Sequence, residues 1–143
     1  MTNIEQAQKL FLSGGYTCVL CKDDITHTST LSGITPMVEF ITAGIDLNGF
    51  SAADKIVGKA AAMLFVLAGV KEIYASVMSE QALKVFLKYG VQYSYDTLTQ
   101  TIVNHAGTGL CPMEQTVKDI ENPSDAFEAI KHTLDFLNKK NKE

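Results

Sequence analysis

The sequence has no tryptophan and only three cysteines in its 143 residues. Cys18, Cys21 and Cys111 make an odd count without a disulfide-like spacing. That excludes a disulfide-stapled secreted scaffold and points to a reducing compartment, the cytoplasm. An excess of positive charge is also missing: 12 Lys and Arg stand against 16 Asp and Glu, for a net charge of -4. No nucleic-acid partner is expected, because such partners call for a basic face. The one basic run, "KKNK" at 139–142, reads as a solvated tail. No apolar stretch follows a basic region at the N-terminus, so no secretion signal is expected. Long hydrophobic runs are absent too. The most apolar segment, Ile56 to Val70, is interrupted by Lys59 and falls short of the roughly 18 residues a membrane span needs. No membrane partner is expected. What remains is an ordinary composition, 46% hydrophobic and 20% charged, at a length that suits a single domain over 1–143.

The periodicities are mixed. "IEQAQKLFL" repeats apolar residues at helical spacing and stops at Ser13-Gly14-Gly15. "YTCVLCKD" and "ITHTSTLS" read as two strands of a hairpin around Lys22-Asp23-Asp24. Pro36 opens a short helix, "PMVEFITAG". Ser51 and Asp54 have the spacing of a capping box, which predicts a long buried helix through "KIVGKAAAMLFVLA". A repeated grammar follows: helix, Gly69, Val70, strand "KEIYASVM"; then Ser79 capping helix "SEQALKVFLKY", Gly90, Val91, strand "QYSYDTL". Glycine just past a helix end supplies the left-handed residue that closes it. A helix between two strands suits a right-handed parallel crossover. The end is helical, with Asn122 as cap, Pro123 at the first position and a stripe of Ala126, Phe127, Ile130, Leu134 and Leu137. The expected fold is α/β: a three-layer α/β/α sandwich with a mixed sheet, an N-terminal hairpin and parallel crossover strands.

That order resembles the cytidine-deaminase-like fold. The segments "ADKIVGKAAAMLFVLAGVKEIYASVMSEQAL" and "NHAGTGLCPME" resemble the domain of unknown function 1893 family, which is assigned to that fold. The resemblance implies the fold more than an activity. Deaminases of this fold hold zinc through His-Ala-Glu or Cys-Ala-Glu at one helix start and Pro-Cys-x-x-Cys at the next, with the glutamate moving protons. Here the first place reads "IVGKAAA" and the second "MSEQAL". Both ligand sets are missing, so neither metal nor other cofactor is expected.

Candidate chemistry centres on "NHAGTGLCPME". Cys111 precedes Pro112, which places its thiol at a helix N-cap, where backbone N–H groups favour a thiolate. With His105, and Glu114 as acid or base, it forms a candidate catalytic set. The competing account is a small structural thiol, with Glu114 serving its own helix start. Asn104, Gly107, Thr108 and Gly109 form a loop that lets a ligand approach backbone closely, or simply turns the chain. Gly58 and Lys59 fall where the deaminase fold has its catalytic face. Lys59 either binds a ligand or reaches the surface past apolar neighbours, and Gly58 either admits a ligand or allows close packing. Asp54 and Ser79 have local capping accounts but also sit where strands hand over to helices, the usual crevice of open α/β sheets. Cys18 and Cys21, three apart on a strand, point to opposite faces and cannot form a redox pair. His27 and His132 read as surface residues.

These residues support a small-molecule ligand, anionic or nucleotide-like, bound by Asp54, Gly58, Lys59, Ser79 and the glycine loop. A cysteine-dependent enzyme and a structural or assembly protein, the latter as a homo-oligomer, are the alternatives.

Overall fold

The computed structural model describes residues 1–104, 107 and 109–142. Helix α1 (Asn3–Gly14) begins with a true capping box: Thr2 Oγ1 accepts from Glu5 N, and Glu5 Oε1 accepts from Thr2 N. It ends where Gly15 turns left-handed. Strands β1 (Cys18–Lys22) and β2 (Ile25–Ser29) form the expected hairpin. Helix α2 (Thr35–Thr42) follows, with Pro36 in its first turn.

The sequence reading is overturned at the next element. Ser51 and Asp54 do not start a helix; Ser51–Val57 is strand β3, at the centre of the sheet. Its small apolar residues are covered on both faces, so the polar alternation that marks a half-exposed strand is absent. Ser51 caps nothing. Its hydroxyl is fully buried and has no hydrogen-bond partner among the described residues. Gly58 is therefore not inside a helix but is the N-cap of α3 (Lys59–Ala68).

Beyond this point the grammar holds. Strand β4 (Glu72–Ser79), helix α4 (Glu80–Tyr89) and strand β5 (Gln92–Thr99) follow in turn. Gly69 and Gly90 close α3 and α4 in the left-handed conformation, with φ 82 and 73 degrees. Helices α5 (Pro112–Val117) and α6 (Pro123–Lys142) complete the chain. Asn122 Oδ1 accepts from Ser124 N and Asp125 N, so the cap expected for the last helix is present.

The sheet order is β2-β1-β3-β4-β5. β1 is antiparallel to β2 and β3; β3, β4 and β5 run parallel. The larger core lies on one face, where Leu64, Phe65, Phe86 and Ile130 bury against Ala52, Ile73 and Met78. The opposite face carries α1, packed on Val19, Cys21, Ala53 and Tyr74. The chain is thus an α/β protein with three layers. Cys18 belongs to the first core and Cys21 to the second, on opposite faces as expected. His27 is a correction: it is half-buried, with its ring 5.9 Å from Phe40 and 5.6 Å from Phe50. No helix among the described residues is long and apolar enough to cross a membrane.

Candidate functional site

The register aligns Val57 with Met78, and Met78 with Leu98. The C-terminal ends of the three parallel strands therefore form one rim, where ligands of open α/β sheets bind. The starts of α3 and α4 rise from it. Ile102–Asn104 and Gly109–Cys111 leave it paired antiparallel: Val103 bridges Leu110, Asn104 N donates to Gly109 O and Cys111 N donates to Ile102 O. Of the loop residues expected here, Gly107 takes a positive φ of 71 degrees, and a side chain added at Gly107 or Gly109 would meet open space. His105 and Thr108 lie outside the described residues.

Glu114 joins this paired segment to the sheet, and not in the way expected. It does not serve its own helix. Its two carboxylate oxygens accept from Lys59 N at 2.7 Å and Ala60 N at 2.9 Å, closing the first turn of α3 from 55 residues away. Gly58 is what allows this. A Cβ there would sit 2.2 Å from Glu114 Oε1, so only glycine leaves room for the carboxylate. Two charge-assisted bonds to the positive end of a helix make this closure strong. It also fills the place where an anionic ligand would dock on α3.

Lys59 turns away from the rim. Its ammonium donates to Lys118 O at 3.1 Å and lies 3.9 Å from Glu121, with 14% of the side chain exposed. Ser79 is fully buried, and its hydroxyl accepts from Ala82 N at 3.0 Å, the expected helix cap. Cys111 is the N-cap of α5, half-exposed, and its thiol makes no capping hydrogen bond.

Asp54 is the residue whose environment the sequence concealed. It lies on β3 with Cys18 and Ala75 as its cross-strand partners and is 7% exposed. Burial raises its pKa to about 8, against a single bond from Lys55 N to Oδ1 at 2.7 Å that favours the charged form. At neutral pH the carboxyl is thus largely protonated. Oδ2 then carries a hydrogen with no partner among the described residues. Burial, with the Asp54 charge second, also pushes the Cys18 thiol up.

The zinc chemistry of the deaminases does not fit these residues. The helix start that would offer ligands presents Gly58, the Lys59 cation and Ala60. Among the described residues no three His, Cys, Asp or Glu side chains group as metal ligands. Two surface hollows, of about 350 and 450 Å³, lie beside α2, one against β2 and one against α6. None of the candidate site residues lines them.

Comparison with known proteins follows from this geometry. Residues 6–134 match the family model described as domain of unknown function (DUF1893). The crystal structure of a DUF1893 family protein from Thermotoga maritima is similar, with a TM-score of 0.82 and 28% identity over 91% of this chain and 88% of that one. A diaminohydroxyphosphoribosylaminopyrimidine deaminase/5-amino-6-(5-phosphoribosylamino)uracil reductase from the same organism is more distant. There the TM-score is 0.41 and the identity 16%, over 80% of this chain and 40% of that one. No curated protein matches the sequence.

Proposed function

The chain belongs to the domain of unknown function 1893 family, and from that premise we propose that it binds a small nucleotide-like molecule at the rim of its parallel strands without zinc. One observation carries the reading: Asp54 is a buried carboxyl on the central strand β3, three residues before its C-terminal end at Val57, and burial raises its pKa to about 8. A protonated carboxyl can donate its O–H, and Asp54 makes no side-chain donation to another described residue. A carbonyl or ring nitrogen of a base, or a ribose oxygen, accepts such a hydrogen bond. Glu114 already occupies the α3 start, so a phosphate is met by the open backbone around Gly107 and Gly109. The cysteines are all free, which fits the cytoplasm.

The test is thermal stability with nucleosides, mononucleotides and inorganic phosphate at pH 6.5 and pH 9. A binder at about 100 times its Kd adds about 2.7 kcal/mol of stability. Binding at pH 6.5 should fade at pH 9 as Asp54 ionises. Asp54→Asn, neutral at every pH and still a donor, should keep the shift and lose its pH dependence; Asp54→Ala should abolish it. A panel in which nothing stabilises the protein sinks the proposal.

The half-exposed thiol of Cys111 favours a second reading, a cysteine-dependent enzyme with His105 as base, since Glu114 is taken up in closing α3. Iodoacetamide mapping checks it: Cys111 should react while buried Cys18 and Cys21 stay protected. An unreactive Cys111 removes the enzyme.

A further inference from the structure

The sheet has two unequal ends. β2, at one edge, runs five residues; β5, at the other, runs eight and pairs only with β4 among the described residues. Edge strands in isolated chains are usually guarded by Lys, Pro or a bulge. β5, "QYSYDTLT", has no Lys and no Pro. Its one charge, Asp96, is engaged sideways by Tyr74 Oη at 2.5 Å.

The phase of the open edge follows from one hydrogen bond. Gln92 N donates to Lys71 O at 3.1 Å, toward β4. Alternate residues repeat that direction, so Gln92, Ser94, Asp96 and Leu98 turn their backbone groups inward. Tyr93, Tyr95 and Thr97 then present N–H and C=O to the open edge. Exposed apolar surface borders them: Tyr95 is 38% exposed and Leu98 39%. On α4, Lys88 and Tyr89 reach Glu121 on one flank. Leu87 lies off that flank and is 63% exposed.

We infer that β5 is the dimerisation edge of this protein, pairing antiparallel with β5 of a second copy about a twofold axis at Tyr95. A twofold perpendicular to the sheet keeps both copies in the same layers and sets the axial residue opposite itself. About Tyr95, the axial pair exchanges both backbone hydrogen bonds, and Gln92 through Leu98 all find partners. Tyr93 meets the second copy's Thr97, and Ser94 meets the second copy's Asp96, a hydroxyl beside a carboxylate. Shifting the axis by one residue to Asp96 sets two carboxylates directly opposite, which is destabilising. Shifting it two residues to Thr97 leaves Gln92 to Ser94 without strand partners. Charge and paired length therefore favour the Tyr95 register, since an axis at Ser94 leaves Thr97 to Thr99 unpaired, and its self-complementarity suits a second copy of this chain.

The experiment is light scattering behind size exclusion on the full chain at tens of micromolar. The wild type should have near twice the 15.6 kDa chain mass. Tyr95→Lys, at a half-exposed site, should keep the circular dichroism spectrum and halve the mass. If that variant fails to fold, Tyr95→Cys in a Cys111→Ser background decides. Axial Cα atoms about 5.5 Å apart can form a disulfide, so oxidation should link the copies, whereas Ser94→Cys in the same background should not. A monomeric wild type, a dimer indifferent to Tyr95→Lys, or an absence of cross-linking at residue 95 would each overturn the proposal.

Discussion

Helices α3 and α4 are built alike. Each follows a parallel strand, runs from Lys59 to Ala68 or from Glu80 to Tyr89, and ends at a left-handed glycine. Their first turns are closed differently. α4 is closed by Ser79, the residue just before it, while α3 is closed by Glu114, on the far side of three further elements and the 102–111 segment. A helix start closed by its neighbour is a local matter, and the chain around it can vary. A helix start closed from afar ties together the end of β3, the 102–111 segment and α5. The candidate site is built at that tie.

Removing each closure measures the contrast. Glu114→Ala should cost most, about 2–4 kcal/mol in urea unfolding. It takes charged acceptors from two helix-end N–H groups, one of them on the buried Ala60. Gly58→Ala should come next, at about 1–3 kcal/mol, because the new methyl displaces the carboxylate. The two losses should not add: in the Glu114→Ala background, Gly58→Ala should cost under about 1 kcal/mol. Full additivity would show that the glycine serves some other purpose. Ser79→Ala should cost about 1 kcal/mol and leave the rim unchanged. A third helix start gives the smallest effect and the opposite sign. Cys111 caps α5 without a side-chain bond, so Cys111→Ser should stabilise by up to about 0.5 kcal/mol. If Ser79→Ala proves more damaging than Glu114→Ala, the contrast between near and far closure collapses.

The same contrast explains what could be read from the sequence. Many locally determined features are legible: the glycine stops, Ser79 and Asn122 as caps, Pro112 and Pro123 at helix starts, and the hairpin around Asp23; the Thr2–Glu5 capping box, equally local, goes unread. The strand β3 was not. Its buried residues lack alternation, and Ser51 with Asp54 imitates a capping box that the structure realises instead at Thr2 and Glu5. The α/β fold survived that error because the misread strand still led into a real helix. The site fared less well. Gly58, Lys59 and Glu114 do meet, but as a helix closure, and the partner of Glu114 lies beyond any window of local pattern. Asp54 is expected near a ligand, but as a helix cap; the structure puts it on a strand. Its burial depends on β1 and β4, and no spacing within β3 reports it.

The distant cap also has a consequence in time. During synthesis at about 5–20 residues per second, Ser79 is present before α4 exists. Lys59 N waits for an acceptor 55 residues downstream, an interval on the order of 3 to 10 seconds. Through that interval Lys59 N and Ala60 N lack the acceptor that closes them in the folded chain, so α3 can settle only once the last part of the domain is made.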